Sequence, residues 1–184
     1  LTLFPYTTLF RSPIPGGTSG HALGVAMLAL LFGVRLAFLA YSLVLALQSL
    51  LFGAGGITAL AVNALAMGLA GSIAAVLAYR LLRRMNETAA VAIAAWCSVL
   101  LAGLLVALTL GAQPLIAHKE DGTPLFFPFG FSITLPAVLI PHVFIGAGEA
   151  VLTVLVWRFA RMRKWLPALP SPAGGRGAGG EGRA

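Results

Sequence analysis

Long apolar stretches separated by short charged clusters dominate this chain. Long stretches without Asp, Glu, Lys or Arg run from Leu36 to Tyr79, from Thr88 to Ala117 and from Gly122 to Gly148. Their apolar residues follow one another continuously instead of alternating with polar ones, a pattern typical of membrane-spanning helices. Because one span takes about 20 residues, the first stretch predicts two helices.

The stretch LFGAGG, from Leu51 to Gly56, predicts the break between these two helices. Clustered glycines end helices and allow tight turns. The fold class predicted is all-α, a polytopic transmembrane bundle of about five helices. Their predicted limits are His21 to Phe32, Leu36 to Leu51, Ile57 to Leu82, Thr88 to Leu110 and Leu135 to Ala160. The first is short for a full span, which predicts a partly submerged helix or one that begins in a cavity lined by protein.

Composition supports an integral membrane protein. Hydrophobic residues make up 59% of the 184 residues and charged residues only 9%, whereas soluble domains carry about 25% charged residues. The net charge of +7 does not indicate a nucleic-acid partner, because the basic residues cluster beside apolar stretches, where they set membrane topology. The single cysteine, Cys97, lies in an apolar stretch and excludes an intramolecular disulfide.

The basic residues also predict the orientation of the chain. Alternating the five helices puts one set of basic residues on the same side, which the positive-inside rule assigns to the cytoplasm. This set is Arg35, Arg80, Arg83, Arg84, Arg158, Arg161, Arg163 and Lys164. The GGTSGH stretch, the LFGAGG break and the loop 111–132 then face outward. We expect a multi-pass protein of a bacterial or archaeal cell (inner) membrane.

Three segments of different character divide the chain. Thr2 to Ser12 read TLFPYTTLFRS, which is the translation of a widely used sequencing-library adaptor, so residues 1–12 are interpreted as adaptor sequence. Residues 13–165 form the predicted transmembrane substrate-binding domain, which we expect to be truncated at its amino end. Residues 166–184 are rich in Pro and Gly and predict a disordered cytoplasmic tail.

Polar side chains near the LFGAGG break are candidates for chemistry. His21 follows GGTSG at the outward start of the first helix; a lone histidine is more often structural than a metal ligand, so both roles stay open. Gln48 and Asn63 lie on the two helices that flank LFGAGG. An amide within lipid requires a bonding partner, so these two residues either link helices or support a site near His21.

A second group of candidates lies further along the chain. Glu149 is the only acidic residue inside a predicted span, and His142 is two helical turns before it on the same face. Two interpretations stay open. The pair acts in proton relay or gating, or Glu149 is a carboxyl group packed at a subunit interface. His118, Glu120 and Asp121 form either a cation site or a solvated turn, since Asp-Gly is a common turn dipeptide. No nucleophile–base pair, phosphate-binding loop or paired carboxylates occur in the sequence, so an enzyme is not predicted.

Three motifs resemble the substrate-capture membrane subunit of cobalt/nickel energy-coupling factor transporters, the CbiM/NikM family. They read GGTSGHALG, LQSLLFGAGGITALAVNALAMG and PHVFIGAGEAVLT. The resemblance covers nearly all of Pro13 to Arg163 and implies that Co(II) or Ni(II) is a transported substrate, with no permanent cofactor. In the family, an amino-terminal Met-His and the histidine of GGTSGH bind the metal, so the resemblance implies that His21 is a ligand. It further implies that Gln48, Gly55 and Asn63 pack around the inserted amino terminus.

The chain departs from the family pattern at two positions. The family's LFGDGG is LFGAGG here, with Ala54 in place of a carboxylate, and the second amide of the family's NxxNM is Ala66. Either change predicts weaker orientation of the ligands. The ligand-bearing amino terminus of the family has no counterpart before Pro13, which predicts that it and one or two helices are missing.

The function predicted is that of a substrate-specific membrane component importing Co(II) or Ni(II) captured at the outer face. The resemblance implies a transmembrane coupling subunit, cytoplasmic ATPase subunits and a small accessory membrane subunit as partners. The chain has no nucleotide-binding motif of its own. The alternative is a non-transporting membrane scaffold or interaction subunit that keeps the fold and has lost the metal site, which Ala54 and Ala66 favour.

Overall fold

The computed structural model describes residues 12–14, 18–20, 24–52 and 57–165. Several positions singled out from the sequence lie outside the described residues, namely His21, Ala54, Gly55, the adaptor segment as far as residue 11, and the tail 166–184. Side chains are described from residue 24 onward, except that of Phe52.

Five helices and one short hairpin make up the described structure, so the predicted all-α bundle is confirmed. The helices are α1 Val25–Phe32, α2 Val34–Phe52, α3 Leu60–Leu82, α4 Glu87–Ile116 and α5 Phe131–Met162. By length and composition α2 to α5 can each cross a membrane, whereas α1 has only 8 residues. The chain is thus a multi-pass membrane protein with one short helix.

The amino-terminal region differs from the sequence prediction. Helix α1 begins at Val25 rather than at His21, because Gly24 adopts a left-handed backbone conformation with φ of 64° that interrupts a right-handed helix. Two antiparallel strands precede it, β1 Ser12–Ile14 and β2 Thr18–Gly20. Both strands contact α5, which places this hairpin against the bundle.

Helices α4 and α5 are longer than predicted, and prolines lie inside both of them. Helix α4 continues through Pro114 to Ile116, and α5 begins at Phe131 and contains Pro136 and Pro141. Prolines are tolerated in membrane helices when neighbouring groups satisfy the freed backbone. The connecting loop is therefore 117–130, shorter than the predicted 111–132.

A π-helical segment interrupts α3. Residues Ala64–Ala70 form it, directly after Asn63, and the Ser72 hydroxyl donates a hydrogen bond to the Gly68 carbonyl. Gly68 lies against α2, since a Cβ built there would be 3.2 Å from the Phe38 ring. Segments of π-helix occur frequently at functional sites, and this one begins beside a candidate site residue.

The helix order defines two ends of the bundle. The end of the bundle that carries the eight basic residues listed earlier is called the basic end. At this end α1, α3 and α5 terminate and α4 begins. The opposite end, which carries residues 57–59 and 117–130, is called the loop end. Chain direction therefore alternates through the bundle as the hydropathy predicts.

At the basic end, Glu87 joins three helices. Its Oε1 atom accepts hydrogen bonds at 3.3 Å from the Tyr79 hydroxyl of α3 and at 3.3 Å from the Trp157 indole of α5, and it pairs with the Arg161 guanidinium. The Tyr79 and Trp157 rings also meet edge to face with centroids 5.4 Å apart. This cluster holds the start of α4 against the ends of α3 and α5.

We expect Glu87→Ala to lower the free energy of unfolding by about 1–2 kcal/mol, since a carboxylate bonded by charged and neutral donors is lost. Thermal unfolding of the detergent-solubilised protein measures the change. Glu120→Ala is the control because Glu120 is exposed in the 117–130 loop. Equal stability of the two variants would contradict the role of this cluster.

Candidate functional site

A buried carboxylate meets the first turn of α1 in the bundle interior. Glu149 is only 3% exposed, and its Oε1 atom accepts a hydrogen bond of 2.6 Å from the backbone N–H of Gly24. A carboxylate within the membrane is costly unless it is hydrogen-bonded. The helix N-terminus supplies both an N–H donor and a partial positive charge for it.

Helix α1 starts deep within the bundle. Glu149 lies about 27 Å along α5 from Phe131 and about 20 Å from Met162 at 1.5 Å per residue. Since Gly24 bonds to Glu149, α1 begins near the middle of the span and continues toward the basic end. This confirms that the first helix is too short for a span.

The four other helices pack around the first residue of α1. Val25 is fully buried in a cluster with Tyr41 and Leu45 of α2 and with Val99 and Ala102 of α4. Partly buried residues complete this cluster from α3 and α5, namely Leu60, Ala64, Met67 and Ile145. The amino end of α1 is therefore surrounded by protein and not by lipid.

Gln48 and Asn63 lie on the loop-end side of this cluster. Gln48 follows Leu45 by three residues on α2, and Asn63 precedes Met67 by four on α3, so each lies one turn closer to the loop end. Both side chains are half-buried. The two amides predicted to flank a site thus lie on helices that surround the start of α1.

His142 and Glu149 bond to different elements of the structure. The Nδ1 atom of His142 lies 2.7 Å from the Val138 carbonyl oxygen of the same helix, and because a carbonyl only accepts, Nδ1 carries the proton. The imidazole packs against α4, where a Cβ built on Gly103 would be 2.7 Å from His142 Cδ2. Glu149 instead faces α1, about 10 Å further along α5.

The residues His118, Glu120 and Asp121 belong to a hydrogen-bonded turn. Asp121 accepts hydrogen bonds from the Thr123 hydroxyl at 2.6 Å and from the Thr123 backbone N–H at 2.9 Å, and these bonds lower the pKa of its carboxyl. Gly122 has a φ of 80°, and His118 pairs with Pro124 in a β-bridge. Within the described ranges no group of three or more His, Cys, Asp or Glu residues could hold a metal ion.

Sequence reasoning missed the contact between Gly24 and Glu149. The two residues are 125 positions apart, and no local pattern pairs them. The available indication was the glycine that ends GGTSGHALG, because a glycine before an apolar stretch can start a helix. His21 itself precedes Gly24 by three residues and follows Gly20, the last residue of β2.

Comparison with known proteins identifies related transport proteins. The family profile CbiM, described as the cobalt uptake substrate-specific transmembrane region, matches residues 3–166. This match begins inside the segment interpreted as adaptor sequence.

Two curated relatives are fused transport proteins. The probable fused nickel transport protein LarMN of Lactiplantibacillus plantarum is 42% identical over 83% of this chain and 47% of its own length. The fused nickel transport protein NikMN of Rhodobacter capsulatus is 35% identical over 89% of this chain and 49% of its own length. The chain therefore spans about half the length of the curated relatives it matches.

A solved structure shares the architecture. The crystal structure of a truncated transition metal transporter superposes with a TM-score of 0.80 at 38% identity, covering 85% of this chain and 74% of the other. At this identity and TM-score the likeness extends over most of the described bundle.

Proposed function

Because this chain belongs to the CbiM family, the cobalt uptake substrate-specific transmembrane region, we propose that it captures Co(II) or Ni(II) for import across the membrane. Relatives named as nickel transport proteins support this substrate class. The metal is a transported substrate and not a resident cofactor. The chain itself carries out no chemical reaction in this proposal.

The observation that carries the proposal is the depth at which α1 begins. The segment between β2 and Gly24 connects a hairpin against α5 to a helix start in the bundle interior. His21 belongs to this segment, and we assign it as a metal ligand. Imidazole nitrogen suits both Ni(II) and Co(II), so one histidine does not choose between them.

The side chains around this segment would hold it in place. Gln48 and Asn63 offer amide groups on α2 and α3, and Gly55 belongs to the loop that joins these helices. We assign all three to packing around the metal-binding segment. His142 keeps a gating role in the proposal, because it fills the contact between α4 and α5.

The orientation and the partners follow from charge and from the relatives. We place the basic end in the cytoplasm, as the positive-inside rule requires, so metal arrives from the loop end. The word fused in the names of two relatives supports association with a further transport subunit. A coupling subunit, a small accessory membrane subunit and ATPase subunits at the cytoplasmic face would complete the transporter.

One observation favours the scaffold alternative. Ala66 is buried, with 4% of its surface exposed, at a position where the resemblance has an amide. A methyl group there cannot orient a ligand. In this alternative the fold would bind the partner subunits without carrying metal.

The test is metal uptake by cells that lack their own nickel and cobalt importers. The complete gene, with its natural upstream sequence and the partner subunits, should raise accumulation of radioactive Ni(II) or Co(II) above that of cells carrying the partners alone. An upstream sequence that starts with Met-His would agree with this result. Accumulation of neither metal, with the protein present in the membrane, would favour the scaffold.

A further inference from the structure

The amino end of α1 has no cap of its own. Its first turn contains no acidic residue, and no side chain within the helix bonds to its first N–H groups. The first four N–H groups of a helix lack partners within the helix. The carboxylate of Glu149 on α5 takes this place and bonds to Gly24 from another helix.

Glycines flank α1 on both sides. Gly24 has a φ of 64° and Gly33 a φ of 83°, and a Cβ built at either residue would meet no atom within 4 Å. Both joints have a backbone conformation that favours glycine, and contacts with the other helices contribute to the orientation of α1. That orientation depends on its apolar contacts, made by Val25, Ala26 and Ala29, and on the bond to Glu149.

The apolar contacts of α1 are weakly directional. Burial of apolar surface is proportional to area and does not specify one rotation or one axial shift. A charge-assisted hydrogen bond is directional and short, and this one joins residues 125 positions apart. It therefore sets the axial position at which α1 begins.

We propose that Glu149 is a positioning residue for metal capture: it fixes the start of α1 at Gly24, three residues after His21 in the sequence. This inference rests on the proposed function, since it assigns a purpose in metal capture to the depth at which α1 begins. Glu149 touches no metal in this role and acts through the Gly24 backbone. The feature required for this role is an oxygen atom that accepts the Gly24 N–H.

Uptake by the complete transporter tests this role with three variants. Glu149→Ala removes the acceptor and should raise the KM for Ni(II) about 10- to 100-fold, the range found when residues that orient metal ligands are lost. Glu149→Gln keeps an oxygen acceptor and should restore a KM close to that of the wild type. Glu87→Ala is the control, because it removes a carboxylate at the basic end and should leave the KM unchanged.

Hydrogen exchange supplies a readout that does not depend on transport. In detergent without metal, Glu149→Ala should speed exchange of the backbone amides from Gly24 to Leu28, and Glu149→Gln should not. If no variant, including the wild type, transports metal while exchange changes as stated, the proposed function fails and the positioning role of Glu149 stands. Unchanged exchange in Glu149→Ala would overturn the inference, as would equal loss of uptake in the Gln and Ala variants, because the charge would then be required.

Discussion

Replacement of His21 by alanine in the complete protein should abolish uptake of Ni(II) and Co(II), while the amount of protein in the membrane stays unchanged. Uptake should fall to the background level of cells that lack the protein, because an alanine methyl group cannot replace an imidazole nitrogen as a ligand. Membrane insertion depends on the apolar spans, which this substitution does not touch. Radioactive metal accumulation and immunoblotting of membranes measure the two quantities.

His118→Ala is the matched control for this experiment. His118 is exposed in the 117–130 loop and lies in a hydrogen-bonded turn. Its loss should leave the rate of uptake at the wild-type value. Uptake at the normal rate by the His21 variant would refute the ligand role of His21, and equal losses in both variants would indicate that histidines contribute only through the folded structure.

Gly146→Val should destabilise the packing of α4 against α5. The Trp96 side chain covers Gly146, so that a Cβ there would lie 2.8 Å from the Trp96 Cδ1 atom, and the indole N–H donates to the Val143 carbonyl at 3.3 Å. Movement of the ring away from Gly146 would weaken or break that bond. Overpacking of this kind costs about 1–3 kcal/mol, which the midpoint of thermal unfolding in detergent will register.

Gly148→Val provides the comparison on the same helix. Gly148 is exposed, and a Cβ built there meets no atom within 4 Å. Both variants add the same side chain to α5 two residues apart, so differences in helix propensity cancel. Equal unfolding midpoints would show that the small-residue face of α5 does not set the distance between the two helices.

The membrane spans could be predicted because hydropathy is a property of local sequence. The free energy of transferring about 20 residues into lipid is a sum over those residues. The break between α2 and α3 could be predicted at LFGAGG because clustered glycines give the backbone the freedom to leave a helix. The same reasoning missed the end of α4, which contains Pro114, and the first turn of α5, which precedes Leu135. Prolines count against a helix locally, and the neighbouring helices decide whether it continues.

The sequence indicated which residues are candidates for the site but not which atoms they contact. His21, Gln48 and Asn63 stood out as polar groups at helix ends, and the structure places the two amides on helices that surround the start of α1. The pairing of His142 with Glu149 came from helical spacing, which brings residues to one face but does not select their partners. His142 instead bonds to Val138 of its own helix.

The sequence by itself determined the number of helices in the described part of this chain and the end of the bundle that carries the basic residues. Only the tertiary structure showed that α1 starts within the bundle, where the Gly24 N–H donates a hydrogen bond to the Glu149 carboxylate. It also showed that large side chains of α4 and α5 pack against glycines of the opposite helix. The physical reason is the range of the interactions. The free energy of transfer into lipid is a sum over individual residues. The free energy of burying a carboxylate, or of packing against a glycine, depends instead on which atoms distant in sequence lie beside it.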